Sequence, residues 1–172
     1  LIGDKNAIMV AARILGYGKE YEFTYDGEEK SVDLSKLEPI KLDFSKFTRG
    51  KNEFEFELPT SKRTITFKLL TGSDEKNIDV ETKAREKISK TQTSELTTRL
   101  KHMILSVDGN VEKSYINNFV DNEFLSRDSL AFRKYLSEIT PDMDMTAKIV
   151  DSNGKETEVV IPITVRFFWP TT

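Results

Sequence analysis

The chain has 172 residues, with 26 Lys and Arg against 29 Asp and Glu, a formal net charge of -3 and no cysteine. That length is enough for one domain with a real core, and the lack of cysteine excludes disulfides, thiolate catalysis and cysteine-bound zinc or iron–sulfur clusters. A slightly acidic chain with 32% charged and 37% hydrophobic residues reads as a soluble globular protein suited to a reducing compartment, with no electrostatic reason to bind nucleic acid.

The longest apolar stretch, "AIMVAARIL" at Ala7–Leu15, is too short to span a bilayer and carries Arg13. No signal peptide precedes it, and the opening on Leu1 without a methionine leads us to expect a segment before it. Asp4 can cap a helix over Lys5–Leu15, with Ile8, Ala11, Ala12 and Leu15 at helical spacing and Gly16 and Gly18 as stops. In "YEFTYDGEEKSVDL" an Asp26-Gly27 turn between two strand-like runs predicts a hairpin. A second hairpin is predicted in "NEFEFELPTSKRTITFKLL", where Phe54, Phe56 and Leu58 alternate with Glu53, Glu55 and Glu57, and Ile65, Phe67 and Leu69 point inward on the return.

From "TGSDEKNI" the period becomes helical, with Ser73 or Thr71 as cap. The following "ETKAREKISKTQTSELTTR" offers only Ala84, Ile88 and Leu96 for packing, so this arm is either loosely attached or partnered by another protein. Leu96, Leu100, Met103, Ile104 and Val107 form an apolar helical stripe that Asp108-Gly109-Asn110 ends. Two further helices are predicted, one with Ile116, Phe119 and Val120, the other capped by Ser126, burying Phe132, Tyr135, Leu136 and Ile139, and ended by Pro141. "MTAKIV", an Asn153-Gly154 turn and "TEVVIPITVRFFW" return the chain to strands. This hairpin shares its layout with that of residues 19–34, which either turn chemistry alone or an internal repeat would produce.

The expectation is a single α+β domain over residues 1–172: antiparallel hairpins from the two terminal regions, free to share a sheet, around about four central helices. Residues 1–70 supply a helix and hairpins, 71–140 the helical region, and 141–172 the last hairpin.

In the terminal run Ile161, Ile163, Val165, Phe167 and Trp169 fall on one strand face, as core residues do, and Phe168 falls on the other with Thr164 and Arg166. Phe168 is covered either by the protein itself or by a partner, and Pro162, which has no N–H to donate, favours an edge strand open to β-augmentation.

Candidate chemistry is thin. His102, the only histidine, lies off the apolar stripe, as a solvated surface residue does. Glu53, Glu55 and Glu57, or Asp142 and Asp144, could hold a divalent cation only if they gathered; an exposed strand face and a helix-to-strand turn explain them otherwise. Ser73–Lys76 matches a serine–lysine spacing without any companion motif, and no phosphate-binding loop or dinucleotide fingerprint occurs. Lys83, Arg85, Lys87 and Lys90 alternate with Glu81 and Glu86 as on a mixed, solvated helix. No enzymatic activity, cofactor or metal is expected from these residues.

The blocks "GDKNAIMVAARILGYGKEY", "LTGSDEKNI", "TTRLKHMILSVDGN", "FVDNEFLSRDSLAFRKYL" and "IPITVRFFWP", in this order, resemble the baseplate hub subunit and hub assembly chaperone family of T-even-type contractile-tailed bacteriophages. The resemblance spans nearly the whole chain. It implies a non-enzymatic late protein that helps build the tail baseplate hub through protein contacts, working in the host cytoplasm during assembly and then either staying in the virion tail or leaving it. It also implies paired cysteines, as in zinc ribbons, in hairpins corresponding to Tyr21–Leu34 and Thr146–Ile161, which this chain lacks, so metal dependence does not carry over. The expected partners are other hub or tail proteins, contacted through Phe168, Trp169 and Arg166 and through Lys83, Lys87 and Lys90 of the sparse arm. The alternative from another class is a carboxylate-based, metal-dependent hydrolase of the tail.

Overall fold

The computed structural model describes residues 1–88, 95–150 and 154–169. Helices and small antiparallel sheets make up the α+β class that the sequence leads one to expect. Where one domain was expected, the chain gathers into two compact units, Leu42–Thr140 and a second built from Ile2–Lys41 with Pro141–Thr172.

In Leu42–Thr140, strands β3 (Phe54–Glu57), β4 (Thr64–Phe67) and β5 (Ile104–Val107) form one antiparallel sheet in that order. The predicted alternation holds: Phe54 and Leu58 are buried and Phe56 half-buried, while Glu53, Glu55 and Glu57 face solvent. Across the ladder Phe54 pairs with Phe67 and Phe56 with Ile65, so apolar side chains meet on one face. Helix α5 (Ser126–Ile139) lays Phe132 edge-on against Phe67, with 4.8 Å between centroids.

The helix expected to run through Val107 ends earlier. Helix α3 (Glu95–Met103) buries Leu100 and Met103, and the chain continues directly as β5, which buries Ile104 and Val107. A helix and a strand share the stripe because β4 offers an edge whose backbone groups need partners, and β-branched Ile104 and Val107 suit a pleated surface. Ile65 accordingly pairs with Val107 and Thr66 with Ser106.

Of the two caps offered for helix α2 (Gly72–Ile88), Thr71 is the one used. Its hydroxyl accepts from the Asp74 amide at 3.3 Å, and the Asp74 carboxylate accepts from the Thr71 amide at 2.9 Å, a reciprocal capping box. Helix α2 buries Ile78 and is otherwise tied to α3 by polar links, Arg99 to Glu75 and His102 Nε2 to Glu81 Oε2 at 2.8 Å. His102, expected in open solvent, has only 22% of its side chain exposed because Glu81 holds it against α2. Helix α4 (Lys113–Asn118) runs into a wider π turn at Phe119–Glu123. Helix α5 is preceded at its cap position by Leu125, with Ser126 already inside it.

In the second unit, helix α1 (Ile2–Tyr17) packs with two hairpins, β1 (Glu20–Tyr25) with β2 (Glu28–Asp33) and β6 (Thr146–Val150) with β7 (Glu156–Val160). Asp26 and Gly27 both take positive φ, the requirement of a two-residue turn matched to the strand twist. Of the Asn153-Gly154 turn, Asn153 lies outside the described residues. The hairpins do not share a sheet; each is two-stranded, and they meet through side chains, with Tyr21, Phe23 and Val32 of one in a common core with Ile149 and Val159 of the other.

Helix α1 is rotated from the expected orientation. Its stripe faces outward, with Ile8 and Leu15 67% and 88% exposed, while Val10 and Arg13 point inward. Two constraints set this. At Gly3 a Cβ would lie 1.6 Å from the Pro141 carbonyl oxygen, so only glycine fits. The buried Arg13 guanidinium donates to the Gly18 and Glu20 carbonyl oxygens at 3.1 and 3.2 Å and lies over the rings of Tyr17 and Tyr21. With both terminal nitrogens on carbonyl oxygens, and only Nε without a partner among the described residues, this arginine turns inward where a periodicity argument would turn it out.

Candidate functional site

The C-terminal run departs from the single strand expected through Trp169. Strand β7 stops at Val160, the Ile161 amide donates to the Met145 carbonyl oxygen at 2.7 Å, and Pro162 then has no N–H to continue a ladder. Thr164 stays extended, and a single helical turn, α6 (Val165–Phe168), follows, closed by the Phe167 amide on Thr164 O at 3.0 Å. A helical turn replaces alternation by a spacing of three to four residues. Phe167 therefore enters the core completely, Phe168 packs half-buried beside it, and Val165 and Trp169, expected inside, are 74% and 68% exposed.

This turn and β1 enclose an open cleft of about 520 Å³ lined by Tyr21, Phe23, Thr24, Pro162, Thr164, Val165 and Arg166. Tyr21 fixes one wall: its hydroxyl donates to the Pro162 carbonyl oxygen at 2.9 Å and its ring meets Phe167 edge-on. Phe167, Phe168 and Trp169 continue the contact as successive edge-on ring pairs at 5.1 and 6.3 Å. Arg166 is the only charged lining residue and makes no hydrogen bond or ion pair among the described residues. The arrangement can do one thing well chemically: hold an apolar group with a negative charge beside it.

Of the expected partner-binding residues, Arg166 and Phe168 lie on α6 and Trp169 caps its end, in ring contact with Phe168. Lys83 lies on α2 in the other unit, exposed and 3.3 Å from Asp79, its partner one turn earlier. The side chain of Lys87, and Lys90 altogether, lie outside the described residues. The cleft wall residues Tyr21 and Thr24, and the buried Arg13 behind Tyr21, were not singled out from sequence; the alternation in "YEF" marks Tyr21 and Phe23 as inward but not what they border.

Of the five carboxylates considered for a metal, Asp142, Asp144 and Glu57 are employed locally, while Glu53 and Glu55 face solvent. Asp142 Oδ1 accepts from Asn6 Nδ2 at 2.8 Å and from the Met143 amide at 2.7 Å. Asp144 accepts from the Thr146 hydroxyl and amide, which hold its carboxyl below the usual range. Glu57 reaches Lys62 at 3.7 Å. Among the described residues no group of three or more His, Asp or Glu side chains could hold a metal ion, and no helix is long and apolar enough to cross a membrane. Ser73 and Lys76 are exposed on α2.

Compared with known proteins, the chain matches no family model, no curated protein and no solved structure.

Proposed function

We propose that the chain is a non-enzymatic assembly factor or structural subunit of a contractile phage tail baseplate hub, docking a tail protein through the α6 surface of its second unit. The ordered blocks that resemble the T-even hub family point to the process. The single observation that carries the docking role is the cleft beside α6, whose apolar lining carries Arg166, without an ion pair among the described residues, while Trp169 stands exposed just after the same turn. Exposed aromatic and arginine side chains around a small apolar pocket are what protein contacts concentrate their energy on.

The rival metal-dependent hydrolase would need Glu53, Glu55 and Glu57, or Asp142 and Asp144, to gather in a cleft; the glutamates face solvent along β3, and the two aspartates accept from neighbouring amides and, at Asp144, a hydroxyl. Deleting the gene from a T-even-type phage that carries it tests the hub reading. Baseplates without a central hub should accumulate in lysates, seen by electron microscopy; complete, contractile tails in normal number would refute it.

A further inference from the structure

The cleft has more directional information than an apolar patch. In the β1–β2 ladder Tyr25 pairs with Glu28 across the turn, and the Leu34 amide donates to Lys19 O at 2.8 Å. Hydrogen-bonded pairs alternate in an antiparallel ladder, so Tyr21, Phe23 and Tyr25 spend their backbone groups on β2. The N–H and C=O groups of Glu22 and Thr24 then face the opposite edge, where Arg13 already takes Glu20 O. Among the described residues β1 has no second neighbour in its sheet, and Thr24 sits where that open edge meets the cleft. An open strand edge is matched by an extended peptide.

The rim adds a sign. Tyr21, Phe23, Pro162 and Val165 are apolar walls, and Arg166 brings the one charge of the lining. Arg13, also near Tyr21, is buried and turned inward, with its terminal nitrogens on carbonyl oxygens, leaving Arg166 as the exposed cation of the cleft among the described residues. A planar guanidinium without a partner among the described residues matches a carboxylate in two parallel hydrogen bonds, a geometry that a neutral amide reproduces poorly.

We infer that the cleft takes an extended segment of another protein in which an apolar side chain and an aspartate or glutamate two positions on share one face. The segment adds along the open edge of β1 at Thr24, its apolar side chain enters between Tyr21 and Val165, and its carboxylate pairs with Arg166. This rests on the docking role proposed above and names the chemistry of the partner.

The test uses the purified full chain and fluorescein-labelled decapeptides of strand-forming sequence, in three series where aspartate, asparagine or lysine stands two positions after one central leucine, read by fluorescence anisotropy. The wild type should bind the aspartate series about tenfold more tightly than the asparagine series, a difference typical of a partly desolvated charge pair. Arg166→Gln should erase that preference and Arg166→Glu should shift it to lysine. Both variants should keep the wild-type melting curve, since Arg166 is exposed and pairs with nothing among the described residues. Equal binding of the aspartate and asparagine series, no binding of any series, or an aspartate preference that survives Arg166→Glu would overturn the inference. A clear aspartate preference with normal tails in the gene-deletion phage would leave the inference standing and remove the hub role.

Discussion

The ring of Tyr21 meets that of Phe167 edge-on, with 5.0 Å between centroids, while the Tyr21 hydroxyl holds the Pro162 carbonyl oxygen at 2.9 Å. One side chain thus pins both ends of the segment that forms the cleft. Phe167→Ala should cost about 3–5 kcal/mol, the usual range for removing a fully buried ring, and Tyr21→Phe about 1 kcal/mol for the lost hydrogen bond. Trp169→Ala should stay within about 0.5 kcal/mol, because its ring is largely in solvent. Urea unfolding monitored by circular dichroism separates the three.

Asp74 links the capping box of α2 to acid stability. Burial opposes its ionisation, but the Lys68 ammonium at 2.6 Å and the Thr71 amide and hydroxyl prevail and bring its pKa down to about 2. The unfolded chain titrates near 3.9, so the folded value is the lower one. The stabilisation is therefore complete above about pH 4 and is lost as the pH falls from there towards 2. Asp74→Asn should lower the melting temperature at pH 7 and leave a shallower decline between pH 4 and 2 than the wild type shows.

Asp128, fully buried at the start of α5, accepts from the Thr60 amide at 2.7 Å and the Ser61 amide at 3.0 Å. The turn between β3 and β4 depends on it. Asp128→Ala leaves two amides without an acceptor and should cost about 2–3 kcal/mol, measured as a shift of the urea midpoint at unchanged slope. Asp128→Asn, which retains one acceptor oxygen, should cost less.

Gly3→Ala should be the most damaging single methyl group in the second unit. The added carbon would lie 1.6 Å from Pro141 O, a backbone atom that cannot swing aside as a side chain could. Either α1 or the Pro141–Asp142 segment must move, which also strains the Asn6–Asp142 hydrogen bond. A destabilisation of about 1–3 kcal/mol is expected from such overpacking, whereas Gly16→Ala, with open space around it, should be neutral or stabilising.

How far the sequence could be read depended on whether local pattern or tertiary contact made the decision. The alternation of Phe54, Phe56 and Leu58 against three glutamates is a local signal, and it located β3 and its buried face correctly. The Asp26-Gly27 turn did the same for the first hairpin. Ile104 and Val107 misled because a separation of three is helical spacing and would split the pair between the faces of a regular strand; the edge of β4, with its register shift between Thr66 and Phe67, decided for the strand. The face of α1 was set by a glycine contact and an arginine in carbonyl and ring surroundings, neither of which has a periodic signature. At the C-terminus Pro162 was recognised as a ladder breaker, yet the turn that follows it exchanged the expected places of Val165, Trp169 and Phe168. Arg166 and Trp169 were named as contact residues from sequence, but the cleft that unites Arg166 with Tyr21 spans more than a hundred residues of chain and has no local trace.

The most direct measurement is affinity capture of the tagged chain from cells infected by a T-even-type phage, with bound proteins identified by mass spectrometry. Wild type would be run beside a variant carrying Arg166→Glu and Trp169→Ala, both shown to melt alike. The account predicts that baseplate hub proteins accompany the wild type and are lost with the variant. Capture of no tail protein by the wild type, or equal capture by the variant, would contradict it.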